Sequence, residues 1–279
     1  YRQRMIPALL VALRPRQWIK NLLVFAAPLF AFVTDPDELL RVVGAFFAFC
    51  TVSSAVYLLN DWFDRETDRA NHPQRVLPRG ELSPQAALNW ARLLLLTGLL
   101  VAGLLLDNPL PLAIAAVAIA LLLAYELRLK ATGLPGNAIV GLLAGGLFLY
   151  GGAATGTPGA TLWLAGLAAL ATLSRELLKD VQDLAGDSDR RTLPARIGHA
   201  ATLQLATVLL LLAVALSLTA YAQFDGRGAT AYLALVILAD GWMLNGCRLA
   251  LAGDPRAGQQ ALKQGMGIAM LAFIAGAAL

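Results

Sequence analysis

Apolar runs of about 20 residues, separated by short polar stretches, follow one another along the whole chain. None shows the alternation of apolar and polar residues that a transmembrane β-strand requires, whereas about 20 apolar residues suffice for a helix to cross a bilayer. The pattern therefore predicts an all-α integral membrane protein with nine transmembrane helices. The predicted spans are residues 16–33, 38–59, 85–106, 109–126, 134–154, 160–178, 200–221, 229–248 and 260–279.

Composition agrees with this pattern. Of the 279 residues, 58% are hydrophobic and 14% are charged, whereas soluble domains carry roughly a quarter charged residues. The sequence therefore predicts one transmembrane domain over residues 1–279, which lies in the lipid bilayer of the cell membrane.

The positions of the basic residues predict the orientation. Short loops rich in Lys and Arg stay in the cytoplasm, and with nine spans nearly all of the 22 Lys and Arg residues fall on one side. Only Arg41 and Arg227 fall on the other side, and Arg92 lies inside a span. The amino terminus is therefore expected to be cytoplasmic, and the net charge of +4 is a consequence of topology that indicates no nucleic-acid partner.

Two acidic clusters share the spacing DxxDxxxD, and each is followed by an Arg and a Leu-Pro pair. They lie in the polar loops 60–84 and 179–199, on the predicted cytoplasmic side, and each begins where a span ends. This repetition predicts an internal duplication in which two helical hairpins present equivalent acidic ends to one central cavity. The clusters are Asp61, Asp64 and Asp68, then Asp180, Asp183 and Asp187.

The spacing of these acids predicts a metal site. Residues four apart share a helix face, so Asp64 with Asp68, and Asp183 with Asp187, each form a pair of carboxylates. Such pairs repel one another unless a cation neutralises them, and hard oxygen ligands suit Mg²⁺. The alternative, solvated acids that are each paired with a nearby Arg, explains one cluster more easily than two of identical spacing.

Basic residues near the clusters indicate an anionic substrate. Arg69 follows the first cluster, Arg175 and Lys179 precede the second, and Lys130 lies between spans 4 and 5. A diphosphate bridged by Mg²⁺ accounts for both signs of charge, and a membrane cavity suits a long apolar tail on that diphosphate. An aromatic face such as that of Tyr125 could stabilise an allylic carbocation.

The fifth span is rich in glycine, with seven glycines between Gly133 and Gly152. Small residues let membrane helices approach closely. This span is therefore expected to lie centrally in the bundle or to line a cavity.

These motifs resemble the UbiA superfamily of intramembrane prenyltransferases. The segment from Asn60 to Arg69, NDWFDRETDR, is similar to the first family motif, and that from Asp180 to Asp187, DVQDLAGD, is similar to the second. The segment from Tyr125 to Lys130, YELRLK, resembles the family's Tyr/Lys segment between helices 4 and 5. The resemblance covers essentially the whole chain.

The resemblance implies a role for each matching residue. Asn60, with the acids of both clusters, would hold Mg²⁺ and the diphosphate, and Asp61 and Asp180 would be supporting ligands. Arg69 and Lys130 would contact the diphosphate, and Tyr125 would face the carbocation or the acceptor. Arg14, Lys20 and Asn21 would lie on the acceptor side.

Different segments of the chain resemble different branches of this family. Residues 14–21, RPRQWIKN, look like the decaprenyl-phosphate phosphoribosyltransferase branch, whereas residues 173–187 and 133–137 look like the digeranylgeranylglyceryl phosphate synthase branch. The intact second acidic motif favours prenyl transfer over phosphoribosyl transfer.

The sequence thus predicts a Mg²⁺-dependent transferase that ionises a prenyl diphosphate and passes the prenyl group to a hydrophobic or amphipathic acceptor, either lipid-like or aromatic. Three alternatives stay open: phosphoribosyl transfer to a polyprenyl phosphate, cyclisation of a terpene, and ion-coupled transport. Transport would favour ionisable residues near span midpoints, whereas the acids gather at the cytoplasmic ends of the spans, apart from Asp240 in span 8.

Overall fold

The computed structural model describes residues 2–26, 33–105, 108–130, 132–184 and 192–279, and these residues form helices and connecting turns without a β-strand. The α-helices are α1 (Arg2–Ala12), α2 (Pro36–Phe63), α3 (Arg65–Asn71), α4 (Pro84–Leu105), α5 (Leu110–Ala124), α6 (Leu134–Ala154), α7 (Leu162–Asp183), α8 (Leu193–Ile197), α9 (His199–Ala220), α10 (Gly226–Leu251) and α11 (Pro255–Ala278). Shorter 3₁₀ helices cover Pro15–Phe25, Pro158–Thr161 and Tyr221–Gln223, and a π-helical turn covers Tyr125–Leu129.

Eight of the described helical segments are long and apolar enough to cross a bilayer, and they correspond to the second to ninth predicted spans. The prediction of an all-helical, multi-pass membrane protein is confirmed. The first predicted span, 16–33, includes residues 27–32, which lie outside the described residues. Its described part is the 3₁₀ helix Pro15–Phe25.

The helices extend beyond the apolar runs. The two polar stretches predicted as loops are partly helical, because α2 continues to Phe63, α3 follows at once, and α7 continues through Asp183. An apolar run marks where a helix leaves the bilayer, whereas the backbone hydrogen bonds can continue into water. The described acids of both clusters therefore lie on helices or at the junction between them.

Proline and aspartate begin several spans. At the start of α2, Asp35 accepts a hydrogen bond from the Asp37 backbone N–H at 2.9 Å, with Pro36 in the first turn. At the start of α11, Asp254 accepts a hydrogen bond from the Ala257 N–H at 2.9 Å, with Pro255 in the first turn. Each cap satisfies a donor that a helix start leaves without a backbone partner.

The glycine-rich helix α6 lies at the centre of the described bundle, as its composition predicted. In the most apolar 18-residue stretch of α6, 56% of the residues are buried, the highest share among the eight spans. The buried share is 6% for the span formed by α5 and its π turn. Gly141 and Gly145 allow this packing, because a Cβ atom there would lie 2.8 Å and 2.4 Å from the carbonyl oxygens of Ala169 and Ala165 on α7.

Two adjacent glycines of α6 provide a direct test of this packing. Gly145→Ala should force α6 and α7 apart and destabilise the protein by about 1–3 kcal/mol, the usual cost of overpacking. Gly146→Ala is the matched control, because a Cβ atom there meets nothing within 4 Å. Thermal unfolding in detergent measures both, and equal stability of the two variants would contradict the close approach.

Candidate active site

The first acidic cluster lies at the junction of α2 and α3. Asp61 is in the last turn of α2, Asp68 is in α3, and Asp64 stands between the helices. The backbone of Asp64 has φ −84° and ψ 3°, in the bridge region that active-site residues often occupy. Its side chain does not cap α3, so the carboxylate is available for contacts outside the helix.

Two arginines neutralise the buried members of this cluster. Asp61 and Asp68 are each 3% exposed, and Arg75 Nη1 lies 2.6 Å from Asp68 Oδ2 and 3.4 Å from Asp61 Oδ1. Arg14 donates to Asp61 and also packs on the ring of Tyr57. Arg75, in the polar stretch after α3, and Arg14, just before the first 3₁₀ helix, therefore both contact the first acidic cluster.

Asp64 contacts a different cation. Lys130 Nζ donates to Asp64 Oδ2 at 2.7 Å, so Asp64 and Asp68, predicted to act as a pair, contact separate basic residues in this structure. The contact joins the first acidic motif to the Tyr125–Lys130 segment, 66 residues later in the chain.

A π-helical turn positions Lys130. Its backbone N–H donates to the Tyr125 carbonyl at 2.8 Å, and its Nζ also lies 3.1 Å from Glu126 Oε2. Burial lowers the pKa of Lys130, but the hydrogen bonds and negative charges of Asp64 and Glu126 outweigh it, so that the pKa is raised above its ordinary value. Lys130 is therefore protonated at neutral pH beside these two carboxylates.

Glu126 also accepts a hydrogen bond from Asn60 Nδ2 at 2.8 Å, through its other carboxylate oxygen. Asn60 belongs to the first motif and precedes Asp61 in α2. The predicted site residues Asn60, Asp64 and Lys130 are thus brought together around Glu126, a residue that the motif analysis quoted without assigning a role. Its spacing of four from Lys130 was the available signal.

The second acidic cluster lies at the end of α7. Asp180 Oδ2 accepts from Asn137 Nδ2 of α6 at 2.7 Å, a partner that sequence reasoning did not identify. Asp183 is partly buried in the last turn of α7 and has no hydrogen bond or ion pair among the described residues. Asp187 falls within 185–191, outside the described residues.

The basic residues of α7 lie before this cluster. Arg175 contacts Glu176, yet its Nε is buried without a hydrogen-bond partner in the described part of the chain. Lys179 is half-exposed and lies 3.9 Å from Glu176. A buried N–H without a partner is costly, so Arg175 offers a donor to a ligand.

The remaining predicted residues are placed differently. Arg69 is 69% exposed and pairs with Glu66 at 2.5 Å, on the surface. Asn21 is buried against α2, where it donates to Ser53 at 3.0 Å. Tyr125 begins the π turn and is partly buried, and the side chain of Lys20 lies outside what the structure describes.

A cavity of about 720 Å³ opens within the bundle, lined mostly by apolar side chains of α6, α7, α10 and α11. Arg175 is part of its wall, two turns before Asp183 on α7. The polar side chains in the cavity wall are those of Thr172, Arg175, Ser217, Asp240 and Lys263. The cavity can therefore hold a hydrocarbon chain whose charged end lies near Arg175.

The donor set fits a hard divalent cation. Carboxylates and an amide oxygen are the ligands that Mg²⁺ takes in proteins, usually one or two carboxylates completed by water and phosphate. Within the described ranges, no three Asp, Glu, His or Cys side chains converge as a metal site. Asp61 and Asp68 pair with arginines, and Asp64 pairs with Lys130. Asp183, which has no described partner, and Asp64, which is 29% exposed, are the accessible carboxylates.

Comparison with known proteins relates the chain to one family. Residues 22–275 match the model of the UbiA prenyltransferase family. The digeranylgeranylglyceryl phosphate synthase of Methanothrix thermoacetophila is 39% identical over 236 residues, which cover 84% of this chain and 85% of that protein. The synthase of Halobacterium salinarum is 41% identical over 221 residues, 78% of each chain.

Solved structures show the same relationship. One, described as giving structural and mechanistic insights into digeranylgeranylglyceryl phosphate synthase in membranes, has a TM-score of 0.85 and 30% identity, and covers 98% of both chains. A UbiA homologue from Archaeoglobus fulgidus bound to GPP and Mg²⁺ has a TM-score of 0.66 and covers 94% of this chain and 99% of its own. Its 16% identity shows a shared fold alone.

Proposed function

The chain belongs to the UbiA prenyltransferase family, and from this membership we propose that it transfers a prenyl group from a prenyl diphosphate to a glycerophosphate lipid, with Mg²⁺ as cofactor. The protein is a prenyltransferase with several membrane-spanning helices. The proposal concerns its donor, its acceptor and the residues that act on them.

The observation that carries the proposal is the contact between Asp64 and Lys130. It places a carboxylate of the acidic motif beside a lysine, and a metal-bound diphosphate requires both kinds of group. The carboxylates would hold the metal, and Lys130 would meet the diphosphate oxygens on which negative charge accumulates. The Archaeoglobus homologue of the same fold binds GPP and Mg²⁺, which are the donor class and the metal of this proposal.

The reaction breaks the bond between the allylic carbon and the diphosphate oxygen, and the electron pair leaves with the diphosphate. An acceptor hydroxyl oxygen then bonds to the allylic cation and loses its proton to the released diphosphate. Asp64, Asp68, Asp183 and Asp187, with Asn60, are the proposed ligands of Mg²⁺, which when bound would neutralise the leaving diphosphate. Lys130 and Arg175 supply positive charge from the protein, and the Tyr125 ring is the proposed neighbour of the cation.

The cavity supports a donor and an acceptor with long apolar chains. Its wall is predominantly apolar, and the unpaired Nε of Arg175 is a donor at that wall for an anionic head group. The relatives at 39% and 41% identity are digeranylgeranylglyceryl phosphate synthases. A lipid acceptor with a glycerol phosphate head group satisfies both observations, and an aromatic acid would leave much of the cavity unfilled.

The proposed orientation follows from the basic residues. In this proposal the amino terminus and both acidic clusters lie on the cytoplasmic side, because short loops rich in Lys and Arg stay there. The same arrangement makes the two acid-bearing hairpins equivalent halves of one site. Labelling of single engineered cysteines with a membrane-impermeant maleimide, from each side of oriented vesicles, tests this orientation.

Product analysis with purified protein tests the function. Labelled geranylgeranyl diphosphate should yield a lipid product with a prenylated glycerol phosphate, and chelation of divalent cations should abolish it. Parallel reactions contain an aromatic acid, no acceptor, or labelled phosphoribosyl diphosphate with a polyprenyl phosphate. Product in one of these reactions, and not in the first, would show prenylation of an aromatic acceptor, terpene cyclisation or phosphoribosyl transfer instead.

A further inference from the structure

Glu126 is a buried acid beside the proposed metal and diphosphate residues. Its side chain is 8% exposed, although it follows the end of α5 at the polar end of the bundle. Burial of a carboxylate is costly unless it is paired and hydrogen-bonded. The environment of Glu126 therefore requires an explanation.

Both oxygens of Glu126 are engaged. Oε1 accepts from Asn60 Nδ2 at 2.8 Å, and Oε2 accepts from Lys130 Nζ at 3.1 Å. Each oxygen of Glu126 thus has a protein donor as its partner. Glu126 thereby connects the first acidic motif with the π turn.

The contact with Glu126 determines which way the Asn60 amide faces. An ionised carboxylate only accepts hydrogen bonds, so Asn60 must present its NH₂ group to Glu126 and turn its carbonyl oxygen away. That oxygen has no hydrogen-bond partner among the described residues. The orientation leaves Asn60 Oδ1 free to bind a cation.

Glu126 also holds Lys130 independently of Asp64. Lys130 lies between two carboxylates, Asp64 at 2.7 Å and Glu126 at 3.1 Å. If Asp64 were to bind a metal, Glu126 would still pair with Lys130 and keep the ammonium group in place. One Lys130 donor would then be available to the diphosphate.

We infer that Glu126 is a positioning residue that orients Asn60 as an oxygen ligand of the metal and retains Lys130 beside the diphosphate. The inference rests on the proposed function, because it assigns Glu126 a role toward the metal and the leaving group of that reaction. Loss of an outer hydrogen bond to a metal ligand commonly weakens metal affinity 10- to 100-fold.

Mn²⁺ binding to the full-length protein in detergent, followed by electron paramagnetic resonance, tests this role without turnover. Glu126→Gln keeps the side-chain shape but removes an acceptor, and should raise the Kd for Mn²⁺ about 10- to 100-fold. Glu66→Gln is the control, because Glu66 is 63% exposed and pairs with Arg69 on the surface. Its Kd should equal that of the wild type.

A compensating pair of substitutions isolates the link to Asn60. Asn60→Asp alone places two carboxylates against each other and should weaken binding. When Asn60→Asp is combined with Glu126→Gln, the amide at position 126 can donate to the carboxylate at position 60. The direction of the hydrogen bond is then reversed, and an oxygen at position 60 still faces the metal. The double variant should therefore bind Mn²⁺ more tightly than either single variant, a coupling that a merely structural role would not produce.

Equal affinity of Glu126→Gln and Glu66→Gln would overturn the inference. So would a loss in Glu126→Gln that the double variant does not reverse, because Glu126 would then act without Asn60. If Glu126→Gln fails to fold, Glu126→Asp provides the same comparison with a shorter side chain. Absence of Mn²⁺ binding by the wild type would overturn the proposed metal site, a separate result.

Discussion

Replacing Asp64 with Asn should lower prenyl transfer by roughly three orders of magnitude or more, because removal of a metal-binding carboxylate leaves the diphosphate charge uncompensated as it departs. The substitution keeps the side-chain shape and removes one charge. It also takes away the 2.7 Å partner of Lys130. The measurement is Mg²⁺-dependent release of diphosphate from a labelled prenyl diphosphate, in parallel with product formation.

The matched control is Asp37→Asn, because Asp37 is exposed in the first turn of α2, at the opposite end of the same helix. It should retain full activity. Asp183→Asn tests the second cluster in the same assay and should cause a comparable loss, since Asp183 has no described partner that would compensate. Turnover near that of the wild type in either site variant would contradict the proposed metal site.

Replacing Lys130 with Met should reduce kcat/KM for the prenyl diphosphate by about 10²- to 10³-fold, the usual effect of removing one group that stabilises developing negative charge. Met preserves most of the length of the side chain. Asp64 and Glu126, which both contact Lys130 in the wild type, would lose this cation. Steady-state kinetics at saturating acceptor measures the effect, and Mn²⁺ affinity shows whether the metal site persists.

Arg128→Gln is the control for this substitution, because Arg128 is an exposed cation in the same π turn, two residues away. Its kcat/KM should match that of the wild type. An equal loss in both variants would mean that the general positive charge of the turn matters and the position of Lys130 does not. Unchanged kinetics in Lys130→Met would remove Lys130 from the site.

Much of the fold follows from local sequence. Runs such as that of α6 are long and apolar enough to require a bilayer, and their number and spacing can be counted directly. The positions of the glycines predicted that α6 would be central, because a helix without side chains on one face can approach its neighbour closely. The lengths of the helices were less predictable, since α2 and α7 extend past the apolar residues that define the spans.

The candidate site was predictable by motif but not by contact. Spacing identified Asp64 and Asp183, and the YELRLK segment identified Lys130. It did not reveal that Asp64 pairs with Lys130, or that Asn21 packs into α2. Arg69 follows Asp68 in sequence but is exposed and pairs with Glu66, because successive residues of a helix point in different directions and Asp68 lies on the buried face of α3.

The sequence by itself determined that this protein spans the membrane and carries two acidic motifs, because hydropathy and motif spacing are properties of short segments. The resemblance of those motifs to a known family indicated prenyl transfer. Only the tertiary structure decided which charges meet. Glu126 contacts Asn60 across 66 residues of sequence, and Asn137 contacts Asp180 across 43. Such pairs depend on how helices distant in sequence pack. A side chain extends only a few ångströms from its helix, so each contact forms only if the two helices lie close together.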